Sequence, residues 1–93
     1  MMAGMFPIDS HLAYVLFDSG ASHSFMCMGF AQRHNTYVMA IPIAYRISTP
    51  SVQLCVNTRT DTVRLVLATH TYRLQFMVLP GQGIDAILGM NWL

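Results

Sequence analysis

Apolar and polar residues alternate with period two over much of the second half of the chain. Val63, Leu65 and Leu67 alternate with Arg64 and Val66, and Tyr72, Leu74, Phe76 and Val78 alternate with Arg73, Gln75 and Met77. Successive side chains of a strand point to opposite faces, so this pattern on both sides of Ala68-Thr69-His70-Thr71 predicts a hairpin. Residues 12–17 are apolar without a break, which predicts a strand buried on both faces. Residues 5–8 predict a strand ahead of a turn at Asp9-Ser10-His11, and residues 41–47 predict another ahead of a turn at Ser48-Thr49-Pro50-Ser51. Pro80-Gly81-Gln82-Gly83 reads as a turn and residues 85–88 as a brief strand. Ser24 is placed to cap a short helix over residues 25–34, with Arg33 and His34 suited to its carboxyl end. Gly29 weakens that helix by about 1 kcal/mol relative to alanine. A second helix would begin at Gly89 and run to Leu93. The predicted class is all-β with one or two short helices.

Composition narrows this picture. Ninety-three residues suffice for one domain with a modest core. Hydrophobic residues make up 54% and charged ones only 10%, so a single copy has little polar side chain with which to cover itself. Either part of its surface lies against a partner, or the chain is a degraded gene fragment of poor solubility, which has the same composition. The charges are five arginines and four aspartates, without a lysine or a glutamate. A net charge of +1 with scattered arginines argues against nucleic-acid binding. No apolar run reaches the roughly 20 residues that a membrane span needs. Pro7 and Asp9 interrupt the apolar amino end, which also lacks the basic start of a secretory signal. Cys27 and Cys55 are too few for a disulfide framework and read as two free thiols in a reducing compartment.

Candidate chemistry centres on Phe17-Asp18-Ser19-Gly20-Ala21, at the end of the apolar run. A carboxylate set where a strand breaks into a tight turn can be held by backbone amides and still reach a cleft. The Asp-Ser-Gly triplet alone is a weak signal, arising by chance in about one chain of this length in twenty, and often marks a mere turn. Its context is more specific: a fully apolar strand precedes it, Ala21 follows it, and Ile87-Leu88-Gly89 stands near the other end of the chain. Other constellations are poorer. His11, His23, His34 and His70 show no metal-ligand spacing with either cysteine, so no metal site and no cofactor are expected. Ser22-His23-Ser24 lacks the Gly-x-Ser-x-Gly elbow of a serine hydrolase. The eight methionines are scattered as core fillers.

The segment Leu16-Phe17-Asp18-Ser19-Gly20-Ala21-Ser22-His23-Ser24-Phe25 and residues 84–93, with Val78-Leu79-Pro80 between them, resemble retropepsin-like aspartic proteases. The resemblance is greatest to those of plant gypsy-type retrotransposon polyproteins, and it covers nearly all of the chain. It implies a single retropepsin lobe over residues 1–93: a closed or partly open β-barrel that ends before the helix and terminal strand with which relatives continue. It implies an aspartic endopeptidase of a retroelement polyprotein, in the cytoplasm or inside virus-like particles. Asp18 would be the catalytic acid and base, meeting its copy across the two-fold axis of a homodimer, with an extended peptide or polyprotein as substrate. Ser19 would brace the catalytic loop across the dimer, Gly20 would allow the turn and offer its amide to the carboxylate, and Ala21 would line the substrate channel. Ile87, Leu88 and Gly89 would support the loop, with glycine required by close backbone approach. The flap would fall at Ser48, Thr49, Pro50 and Ser51, in a stretch without the glycine of relatives, and Asn91 stands where relatives often place an aspartate. The same residues also admit a catalytically silent retropepsin fold, either a remnant or a dimerisation module.

Overall fold

The computed structural model describes residues 2–48, 53–81 and 83–90. Among them, nine strands form one sheet around a single six-residue helix, as the all-β reading expects. The strands in chain order are β1 Met2–Ile8, β2 His11–Phe17, β3 Phe25–Cys27, β4 Val38–Ser48, β5 Gln53–Thr60, β6 Val63–Leu67, β7 His70–Leu74, β8 Met77–Leu79 and β9 Ala86–Leu88. The helix, α1, spans Met28–Arg33. Across the sheet the order is β4-β5-β8-β3-β9-β2-β1-β6-β7. The sheet curls into a half-barrel, so Ile8, Val15, Met26, Leu65 and Leu88 from distant strands share one core with Phe30 of α1.

The first hairpin turns through Asp9 and Ser10, both at positive φ (47° and 69°), the geometry that matches strand twist in two-residue loops. Asp9 is held there from outside the hairpin, its Oδ1 accepting from the Arg64 N–H at 2.9 Å. β2 is not buried on both faces as its composition predicts. Ala13 and Val15 point into the core, while Leu12 and Tyr14 remain exposed. β2 has a strand on either side, yet Leu12 and Tyr14 on its outer face stay open to solvent.

The predicted helix over residues 25–34 divides in two. Phe25, Met26 and Cys27 instead form a strand that pairs with β8 in parallel and β9 antiparallel. Sheet hydrogen bonds and the burial of Phe25 and Met26 outweigh local helix preference there. The cap is Cys27, whose Sγ accepts from Phe30 N–H at 3.4 Å. Ser24 is not the cap; its hydroxyl oxygen accepts from Gly89 N–H at 3.0 Å.

The second hairpin forms with a tighter turn, at Ala68 (φ 55°) and Thr69, so that His70 and Thr71 join the ladder. Phe76 and Val78 do not continue it. The chain pivots at the fully buried Phe76, whose backbone is clasped by Thr60: Thr60 N–H donates to Phe76 O at 2.8 Å, and Thr60 Oγ1 accepts from Phe76 N–H at 3.0 Å. β8 then pairs with β3 and β5. β5 was not foreseen, because its polar residues obscure the inward Val56 and Thr60. The expected helix from Gly89 includes Asn91, Trp92 and Leu93, which lie outside the described residues, as does Gln82 of the predicted turn.

Two features of this packing carry energetic consequences. Gly89 follows β9 beneath the loop that leaves β2, and a β-carbon there would collide with His23 O and lie 2.7 Å from Ala21 O. Both are backbone atoms, so no side chain can swing away. Elsewhere, His34 caps the end of α1 and packs at a tilt against His11 at 4.1 Å and Phe30 at 4.5 Å between ring centroids, joining the helix to the first hairpin. Partial burial holds the His34 pKa below its ordinary 6.5, helped by the neighbouring His11 and Arg33 and opposed by Asp85. The unfolded chain therefore takes up this proton before the folded one, and His34 contributes stability that is full above pH 6.5 and declines as the pH falls below it.

Gly89→Ala is expected to lower unfolding free energy by about 2–3 kcal/mol, an overpacking cost read from the urea midpoint. Thermal midpoints are expected to fall between pH 7.5 and about 5.5, and His34→Gln should flatten that slope; an unchanged slope would remove His34 as its source.

Candidate active site

Asp18 stands at the carboxyl end of β2, where the strand breaks. Its N–H donates to Leu88 O at 2.9 Å, extending the parallel β2–β9 ladder by one bond. Its own carbonyl accepts from Ala21 N–H at 3.2 Å, closing a tight turn over Ser19 and Gly20. Met90 N–H donates to Ala21 O at 2.8 Å, and Met77 N–H donates to Ser24 O at 2.9 Å. With the Ser24–Gly89 bond, these contacts tie both ends of the 18–24 loop to β9 and β8. The carboxylate is therefore presented by a rigid frame, although Ser19 and Gly20 at the tip are exposed.

Gly20 N–H donates to Asp18 Oδ1 at 2.9 Å, orienting the carboxylate. No left-handed torsion is involved, since the described glycines at positive φ are Gly81 and Gly83. A β-carbon at Gly20 would meet only Asp18 Oδ1, at 3.3 Å. What this position supplies is an unobstructed amide rather than unusual backbone freedom.

Asp18 opens onto a cleft of about 430 Å³ whose walls include Ala21, Phe25, Tyr45, Ile47, Leu79 and Ile87. Two of the three residues read as loop support behave differently from each other. Leu88 is buried in the core beneath the loop, whereas Ile87 points to the opposite face and into the cleft. His23 and the β4 residues Tyr45 and Ile47 also line it; in the sequence His23 is a candidate only for metal or serine-hydrolase chemistry, and none of the three is placed in this cleft. The signal available for them was strand alternation counted outward from Asp18 and Ser48, which required knowing that β4 crosses the loop. The His23 and Tyr45 rings meet at 5.2 Å and join the loop to β4.

β4 and β5 remain paired as far as Ser48 opposite Gln53, while Thr49, Pro50 and Ser51 lie outside the described residues.

The other aspartates are committed elsewhere. Asp85 accepts from Tyr14 N–H at 2.8 Å and from Arg33 Nη2 at 3.1 Å, fastening β2 and α1 to the start of β9. Asp9 holds Arg64, and Asp61 accepts from the adjacent Thr62 N–H at 2.8 Å in an exposed turn. Among the described residues no three histidine, cysteine or acidic side chains converge as metal ligands. Cys27 and Cys55 are unbridged. No described helix is long and apolar enough to cross a membrane.

The chain and its fold have counterparts among known proteins. Residues 1–93 match the family described as retroviral aspartyl protease. The retroviral protease-like domain of Ddi1 from Leishmania major superposes with a TM-score of 0.70 at 21% identity, covering 98% of this chain and 73% of that one. The EIAV protease, solved with a bound inhibitor, superposes with a TM-score of 0.64 at 20% identity, covering 95% of this chain and 80% of that one. At such identities the structures establish likeness of fold, and the family match covers the whole length. The family match over the whole length, with this likeness of fold, shows that the chain belongs to the retroviral aspartyl protease family and has its retropepsin-like fold.

Proposed function

We propose that the chain is a single retropepsin domain over residues 1–93 that acts as an aspartic endopeptidase of a retroelement polyprotein. Catalysis would occur in a homodimer that brings Asp18 of each subunit together. The supporting observation is the placement of Asp18 in a cleft of about 430 Å³, on a loop pinned to β9 and with its carboxylate oriented by Gly20 N–H. The remaining aspartates serve turns and strand junctions, so a second catalytic carboxylate has to come from another copy. Exposed Ser19 and Gly20 at the loop tip give that copy a place to approach.

Two carboxylates in close opposition cannot both ionise, and they share one proton. The ionised Asp18 accepts a proton from a water as its oxygen attacks the scissile carbonyl carbon. The protonated partner carboxyl donates to the carbonyl oxygen, giving a neutral tetrahedral diol. Collapse then passes the Asp18 proton to the leaving nitrogen and breaks the C–N bond, while a diol hydroxyl gives its proton to the partner carboxylate, which restores the shared proton. Ser19 braces the loop across the axis and Gly20 orients the carboxylate. Ala21 and Ile87 meet the substrate, which lies extended between the loop and β4. Leu88 and Gly89 hold the loop from below, and Ser48, Thr49, Pro50 and Ser51 form the closing flap.

Cleavage of a peptide library is expected between about pH 4 and 7, where coupled carboxylates titrate. Asp18→Asn is expected to reduce it by about 10²–10⁴-fold or more, the share owed to positioned acid–base groups. Undiminished cleavage by that variant would exclude the assignment. Sedimentation velocity should show a dimer, whereas a strict monomer at high concentration would favour a silent fold. Asp85→Asn provides the contrast: it is expected to cost about 1 kcal/mol of stability through weakened bonds to Tyr14 and Arg33, with cleavage per folded dimer retained.

A further inference from the structure

A second cavity of about 430 Å³ adjoins the Asp18 cleft, and His23 and Tyr45 line both. An irregularity in β4 borders it. Ala40 pairs with Thr58 and Tyr45 with Val56, so residues 41–44 stand opposite Asn57 alone. Pro42 in that stretch has no N–H for the ladder, and Ile41, Pro42 and Ile43 bulge to form one wall. Arg59 of β5 and Gln75, between β7 and β8, contribute its polar lining.

Arg59 is the unusual member. Its Nη1 is buried, and no described group accepts a hydrogen bond from it. The cavity lining includes no carboxylate. Asp9, Asp61 and Asp85 are bonded elsewhere, and Asp18 faces the neighbouring cleft. One nitrogen of this charged group is thus shut off from water without an acceptor, which is costly, while the half-buried side chain as a whole lines the cavity and its planar fork matches a carboxylate. β4 borders both cavities, with Ile41, Pro42 and Ile43 at one and Arg46 and Ile47 at the other. A peptide extended along β4 from the Asp18 cleft would therefore reach the second cavity past His23 and Tyr45.

We propose that this cavity is a subsite for an acidic side chain at an outer position of the peptide substrate, with Arg59 binding its carboxylate. The inference rests on the protease reading for its substrate, and its test separates the two. Peptides differing only by Glu or Gln at successive outer positions are compared at about pH 6, above the ordinary glutamate pKa of about 4.3. At one position kcat/KM is expected to favour Glu by about tenfold, chiefly through KM. The ratio should fall to near one in Arg59→Gln, fall partly in Arg59→Lys, and persist in Arg64→Gln, with folding checked by circular dichroism. The same peptides titrated by calorimetry into the Asp18→Asn protein should give the same preference in Kd. A preference seen in binding with no peptide cleaved by the unsubstituted chain would remove the protease reading and leave the subsite standing. The subsite is overturned if neither cleavage nor binding prefers Glu, or if the preference survives in folded Arg59→Gln. Succinate binding as tightly as the Glu peptide would also overturn it, by making the site one for small carboxylates.

Discussion

The structure depends on the seam where β2 and β9 run parallel and the loop after β2 folds back across the end of β9. Parallel pairing aligns Val15, Leu16 and Phe17 with Ala86, Ile87 and Leu88. The next bond, from Asp18 N–H to Leu88 O, carries the ladder into the loop. Backbone then lies directly on backbone, since Gly89 passes too close to Ala21 O and His23 O for any side chain. The proposed catalytic carboxylate is thus positioned by main-chain contacts from a segment about seventy residues away. Reactive geometry of this kind has to be built on rigid elements, because small displacements of a positioned group are expensive in rate.

The neighbouring elements serve that seam. Asp85 ties the start of β9 to Tyr14 of β2 and Arg33 of α1, so the helix helps to hold the strand in register. Ser24 leaves the role of helix cap to Cys27 and binds Gly89 N–H instead, closing the far end of the loop. The His11–His34 contact fixes α1 to the first hairpin but is weakened by protonation. Acid thus acts in opposite directions on this chain: a shared proton is required between the proposed catalytic carboxylates, while protonation of His34 loosens the helix contact.

The elements legible in the sequence were those specified by short-range pattern. The second hairpin follows from alternation around Ala68 and Thr69, and the first from a turn at Asp9 and Ser10. The Asp18 motif and Ile87-Leu88-Gly89 were recognisable as a pair, and the structure places them in contact. Less legible were the elements whose state depends on distant partners. Residues 25–27 have a local pattern compatible with helix, and only β8 and β9 on either side make them a strand. Phe76 continues the alternation of β7, yet Thr60 clasps its backbone and turns the chain away. β5 is polar enough to pass for a loop until β4 supplies its partner. The His23–Tyr45 contact and the Arg59 cavity arise from the passage of β4 beside the loop, which no local motif encodes.

The sequence by itself determined the β class, the first turn and the family, and it singled out Asp18 as the candidate carboxylate. These reside in residue type, period and adjacency, which short-range sterics and hydrogen bonding convert directly into local structure. Tertiary structure alone decided which face of β2 is buried, which side chain caps the helix and which seals the loop, and which side chains form the walls of each cavity. Those outcomes depend on what stands opposite a residue in space. For strands paired across tens of residues, the chain's linear order leaves that choice to the energy of the assembled sheet.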